Sequence, residues 1–192
     1  MAVSQQQITL EEFLALPEQK PALEYFDGEV TQKVPPTTAH SAVQYDFCAL
    51  VNHFARPRKL AWAFPEHRSS YSNASTVPDV AVYTWDRVPR DADRRLANRV
   101  FTTPDIAVEI RSPGQSFQTM LIRCLWYVAN GAHVSIAIEP IELLLIALRP
   151  GAEPLVFHDA GQLDLTDVIP GFSLDVGALF APLSPDWDPG QR

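Results

Sequence analysis

Lysine is scarce in this chain: Lys20, Lys33 and Lys59 are all it has in 192 residues. Acids outnumber bases, 23 Asp and Glu against 15 Lys and Arg, which gives a formal net charge of −8. A domain that grips nucleic acid by charge alone is basic, so strong unspecific DNA binding is disfavoured, while a local basic patch beside an acidic site is left open. Cysteine is nearly absent. Cys48 and Cys124 lie in separate segments without a metal-ligand spacing, so reduced thiols in a cytoplasm are expected. No apolar run approaches the length of a membrane span. The first seven residues, Met1 to Gln7, lack the basic-then-apolar pattern of a signal peptide. Internal repeats and low-complexity tracts are missing too.

What is there suits one domain with a sizeable core, expected over residues 1–183 and followed by a flexible tail, 184–192. Thr9-Leu10-Glu11-Glu12 has the spacing of a capping box and predicts a short helix ended near Pro17. Leu23 to Phe26, the turn signal Asp27-Gly28 and Glu29 to Val34 predict a hairpin, with Glu24 and Glu29 as solvated strand acids in its plainest form. A second helix carries Ala39, Val43, Phe47, Leu50, Val51 and Phe54 at helical spacing and stops at Pro57. His40 in its first turn reads as an ordinary surface or capping residue. Leu60 to Phe64 reads as a strand, Glu66 to Tyr71 as its continuation or neighbour, and Ser72 to Ser75 as a turn. Residues 85–98 mix Arg87, Arg90, Arg94 and Arg95 with aspartates and predict a solvated loop. A third helix runs through Phe117, Leu121, Leu125 and Tyr127 to the Asn130-Gly131 stop, with Leu121 and Leu125 facing a sheet. His133 to Ile138 and Leu143 to Leu148 are apolar strands. The order predicts a mixed α/β (α+β) fold: one mixed β-sheet flanked by helices.

Two stretches carry the chemistry, Val77-Pro78-Asp79-Val80-Ala81-Val82-Tyr83 and Pro104-Asp105-Ile106-Ala107-Val108-Glu109-Ile110-Arg111. Glu109 lies deep in an apolar run, where an ionised carboxylate is costly unless paired. Two acids on consecutive predicted strands could hold Mg²⁺, a hard cation that takes oxygen ligands and keeps several waters. The plain alternative is that Asp79 caps a strand and Glu109 pairs with an arginine.

These residues, together with Leu23-Glu24-Tyr25-Phe26-Asp27-Gly28-Glu29, His40, Glu66, Arg68, Ser112-Pro113-Gly114, Trp126-Tyr127, Glu139-Pro140 and Ile169-Pro170-Gly171-Phe172, appear in an order that resembles the Uma2 group of the PD-(D/E)XK nuclease superfamily. The likeness covers Thr9 to about Phe180. It implies a restriction-endonuclease-like core, DNA as substrate, and Asp79 and Glu109 as ligands of Mg²⁺ or Mn²⁺. A lysine normally completes such a site, two residues after the second acid or, in this family, four residues before the helix tyrosine. Arg111 and Arg123 stand at those positions, and Thr119 stands near the place of a helix acid. The three lysines fall in neither place.

The resemblance therefore implies a metal-dependent endonuclease with Asp79, Glu109, Arg111, Arg123 and Glu24 as site residues. The alternative is a nuclease fold that has lost cleavage and serves in nucleic-acid binding or assembly. Arginine clamps phosphate but stays protonated, so it cannot act as a general base. Strand alternation puts Arg111 on the face of Glu109 and nearer the metal, leaving Arg123 as a more distant contact. Cleaving both strands of a duplex needs two sites or two nicks, so a homodimer is expected.

Overall fold

The computed structural model describes residues 8–26 and 28–188. Helix α1 (Leu10–Leu14) opens on the expected capping box: Glu12 N donates to the Thr9 hydroxyl, and the Glu12 carboxylate accepts from Thr9 N at 2.7 Å. Strands β1 (Leu23–Phe26) and β2 (Glu29–Gln32) pair antiparallel as a hairpin. Of its turn, Asp27 lies outside the described residues, and Gly28 takes φ 84°, a left-handed conformation that suits glycine. Helix α2 (Thr38–Ala55) is capped by Thr37 and buries Val43, Phe47 and Val51. There follow β3 (Ala61–Pro65), β4 (Ser69–Tyr71), β5 (Ala74–Thr76), β6 (Val80–Thr84) and β7 (Ile106–Ile110). Helix α3 (Phe117–Ala129) leads to β8 (Val134–Glu139), β9 (Leu144–Leu148), β10 (Leu155–His158), β11 (Gln162–Asp164), β12 (Ser173–Asp175) and α4 (Val176–Phe180).

The main sheet is mixed, in the order β10-β9-β8-β7-β6-β3. Its β7–β8 pair is parallel, bridged by α3, and its other pairs are antiparallel. A single sheet does not account for all strands, however. A second sheet, β2-β1-β5-β4, stands apart, and β11-β12 form a small third one. The reason lies at Ser72 and Asn73, whose positive φ values of 47° and 56° make a tight β4–β5 turn. Residues read from the sequence as a turn alone, Ala74 and Ser75, become a strand that pairs with β1 through Tyr25 and Ser75.

Both faces of the main sheet are covered, so β6, β7 and β8 read as continuous apolar runs rather than alternating ones. Val80, Val108, Ile110 and Ile136 pack with α2 and α4 on one face. Ala107 joins Tyr127 on the other, and Ala137 joins Met120 and Cys124 there. The period of two sends Glu109 toward α3 with Ala107. On α3 the buried stripe is Met120, Cys124 and Tyr127, while Ile122 and Leu125 are exposed. The expectation that Leu125 faces the sheet is therefore corrected, and the helix is rotated from the predicted setting. Arg123 lies three residues after Met120 and four before Tyr127, which sets it beside the buried stripe. Trp126 packs against Phe26 and Tyr71, tying α3 to the second sheet.

Candidate active site

Asp79 and Glu109 line the same cleft. Asp79 directly precedes β6, whose Val80 pairs with Val108 of β7, and its carboxylate reaches across to the backbone of Ile110, the neighbour of Glu109. Both are buried. Asp79 Oδ2 accepts from Ile110 N at 2.6 Å and lies 3.1 Å from His40 Nε2. Burial alone would raise the Asp79 carboxyl, but Lys33 and His40 hold it well below the usual carboxylate range. Glu109 Oε1 accepts the Tyr127 hydroxyl at 2.7 Å and sits 3.8 Å from an Arg123 nitrogen. Here burial prevails: it pushes Glu109 up to about 8 against the pull of Arg123.

Glu24 is not a solvated strand acid. It is buried, accepts from Val77 N at 2.7 Å and binds the Arg123 guanidinium. Packing of the second sheet onto α3 brings it there, over a sequence distance that no local pattern bridges.

Arg111 and Arg123 exchange the positions expected of them. Arg111 directly follows β7, and its backbone N–H still bonds to the Ile138 carbonyl at 2.8 Å, which keeps it beside β8. Its side chain turns to Glu139 at the end of β8 and to the Gln115 carbonyl at 3.0 Å. Arg123 is the arginine that lines the cleft with Asp79, Glu109 and Glu24. Burial opposes its charge, but Glu109 and Glu24 raise its pKa above the ordinary arginine value, so it stays a cation.

Lys33 was passed over in the sequence because it matches neither expected lysine position. Its ammonium nevertheless sits 2.6 Å from Asp79 Oδ1, 2.8 Å from the Val77 carbonyl and 3.2 Å from Glu66 Oε1. His40, read as an ordinary helix-start residue, is buried against Asp79. The signal that could have flagged Lys33 is its rarity: a chain with three lysines places one at the base of a hairpin just before Pro35-Pro36.

The cleft holds about 260 Å³. At about 30 Å³ per water, that accommodates a phosphate group and a few waters. Among the described residues no cluster of three or more His, Cys, Asp or Glu side chains forms a metal cage. The donor set is two carboxylates in one cleft, which fits Mg²⁺ or Mn²⁺, hard ions that keep waters, better than a closed protein site. Within that set, Asp79 and Glu109 would hold the ion.

A mixed sheet flanked by helices, with two acids at adjacent central strands in one cleft, defines a restriction-endonuclease-like core. The chain belongs to the Uma2 family, described as "Putative restriction endonuclease", which it matches over residues 10–177. It is similar to a solved structure from Anabaena variabilis ATCC 29413, titled a "putative nuclease belonging to DUF820": 35% identical, TM-score 0.87, covering 92% of this chain and 99% of that one. The DrdV–DNA complex is far more distant, 12% identical with a TM-score of 0.38 over 74% of this chain and 11% of that one. No curated protein matches the chain. Among the described residues no helix is long and apolar enough to cross a membrane.

Proposed function

We propose that this protein is a metal-dependent endonuclease that hydrolyses DNA phosphodiester bonds, with Asp79 and Glu109 as ligands of Mg²⁺ or Mn²⁺. The observation that carries this reading is the presence of two buried acids, Asp79 at the start of β6 and Glu109 in β7, in one cleft that also presents Arg123 and Lys33. A bound ion would supply an activated water and offset charge on the phosphate. Arg123, fixed by Glu24, clamps a phosphate oxygen and cannot take a proton from water. Tyr127 fixes the rotamer of Glu109. Glu24 contributes by holding Arg123 and the Val77 amide.

A homodimer would give a duplex two such sites. Exposed Ile122, Leu125 and Ile141 offer apolar surface for that contact. We place the protein in a cytoplasm: Cys48 on α2 and Cys124 on α3 pack into separate clusters, which suits two reduced thiols.

A second reading, a nuclease fold kept for binding after cleavage is lost, is favoured by the ion pair Lys33 already makes with Asp79. One assay separates the two. Supercoiled plasmid incubated with the protein and Mn²⁺ is nicked under the first reading, and Asp79→Ala abolishes the nicking. Under the second, the plasmid stays intact although the protein retains DNA in a gel-shift experiment.

A further inference from the structure

Asp79 offers its two oxygens unequally. Oδ2 already meets Ile110 N and His40 Nε2, whereas the donor found on Oδ1, among the described residues, is the Lys33 ammonium. That ammonium has three N–H groups and three oxygens around it: Asp79 Oδ1, Glu66 Oε1 and the Val77 carbonyl. Its seat is built from several elements. Gln44 of α2 donates to the Asp79 carbonyl at 2.8 Å and to Glu66 Oε1 at 3.2 Å. Glu66 N donates to the Asp79 carbonyl at 3.0 Å. The lysine side chain is about 10% exposed, although β2, which delivers it, is exposed throughout.

A cation held at this oxygen and a divalent ion shared by Asp79 and Glu109 would be within a few ångströms of each other. Like charges that close repel strongly even at an interior dielectric of about 20. We propose that Lys33 is a tethered cation that competes with the divalent metal for Asp79 Oδ1. It keeps Asp79 paired while no metal is bound, and it must leave Oδ1 for the metal to seat. The exposed strand β2 before it allows that withdrawal, since a long flexible stem and a solvated strand hold it rather than a packed core. Arg123 does not share this role: it faces Glu24 and Glu109, not Asp79 Oδ1.

This inference rests on the metal reading of the site, and the test separates the two. Mn²⁺ is titrated calorimetrically into the full chain and its variants at neutral pH, without DNA. Lys33→Met keeps the apolar stem and removes the charge. Lys33→Gln keeps a donor beside Asp79 and guards against loss of fold. Both should bind Mn²⁺ about tenfold or more tightly than the parent. Both should also show a larger Mn²⁺-induced rise in melting temperature, because ligand binding to the native state stabilises it. Asp79→Asn should not bind. Binding by the parent and equal or weaker binding by the folded Lys33 variants overturns the competition while leaving the metal site intact. Binding by the Lys33 variants alone supports it in its strongest form. No binding by any of the proteins overturns the metal reading, and the competition with it.

Discussion

Tyr127 on α3 donates its hydroxyl to Glu109 Oε1 on β7 at 2.7 Å, and both residues are buried. The bond ties the helix face to the one acid in the middle of the sheet. Tyr127→Phe leaves the packing and removes the donor. The cost should be about 1–3 kcal/mol, since a buried acceptor loses its partner. Urea unfolding at neutral pH measures it; an unchanged midpoint would show that the bond contributes nothing.

Glu109 also sets a pH dependence. Burial, opposed by Arg123 and Lys33 and helped by Asp79 and Glu24, carries its pKa from 4.5 to about 8. The folded protein thus keeps a proton that the unfolded chain releases. The contribution is fully present below about 4.5 and is lost as pH rises through about 8. Within that window this one group should lower the stability of the metal-free protein by about 1.4 kcal/mol per pH unit. Glu109→Gln, which cannot titrate, should lose that slope. Asp79 runs the other way: held low chiefly by Lys33 against its burial, it contributes stability that disappears on acidification below the ordinary carboxylate range. Melting curves in chelator across the window decide. A stability difference between parent and Glu109→Gln that does not change with pH contradicts the raised pKa.

The two arginines separate by function. Arg123 lines the cleft and Arg111 pairs with Glu139 outside the carboxylate pair. Both substitutions to alanine strand a buried acid, Glu24 or Glu139, and should cost about 3–5 kcal/mol each. Corrected for folded fraction, Arg123→Ala should depress Mn²⁺-dependent cleavage strongly and Arg111→Ala weakly. Arg123→Lys should restore part of the loss. Equal effects of the two alanine variants would remove the special place of Arg123.

The difference between these arginines shows what the sequence could and could not tell. Asp79 and Glu109 were legible as candidates because one opens an apolar strand run behind Pro78 and the other interrupts one, signals read within a few residues. Glu109's direction followed from the period of two. Arg111 was misplaced because alternation gives a face of the sheet and not the neighbour met there: Arg111 pairs with Glu139 of β8 rather than with Asp79 or Glu109. Arg123 was set behind Arg111 by that same alternation, and the α3 stripe was partly misread: of Phe117, Leu121, Leu125 and Tyr127 only Tyr127 is fully buried, together with Met120 and Cys124. Glu24 was named only through the family resemblance and Lys33 not at all; both reach the site through the docking of the second sheet, a contact between segments 46 and 99 residues apart in the chain at its two key bonds. Nothing local encodes such a distance.

Asp105 lies in the same stretch as Glu109 and has a structural task instead. It is fully buried and accepts from Thr84 N at 2.7 Å, from the Thr84 hydroxyl at 3.1 Å and from Arg87, with His133 Nδ1 at 3.2 Å. Arg87 is thereby drawn out of the loop that its neighbours leave solvated. Asp105→Ala should destabilise by about 3–5 kcal/mol, because it leaves these donors without their shared acceptor. Mn²⁺ affinity of the folded fraction should not change. A calorimetric titration that shows lost metal binding in a folded Asp105→Ala protein would place this acid in the site after all.

The central claim is that Asp79 and Glu109 together hold a divalent ion that cleaves DNA. The most direct measurement is the rate of nicking of supercoiled plasmid as Mn²⁺ is raised, for the parent, Asp79→Ala and Glu109→Gln. The account predicts saturable, Mn²⁺-dependent nicking by the parent, abolished by chelator and by either substitution in proteins that still fold. Nicking that persists in both folded variants, or a parent that never nicks at any Mn²⁺ concentration, would contradict it.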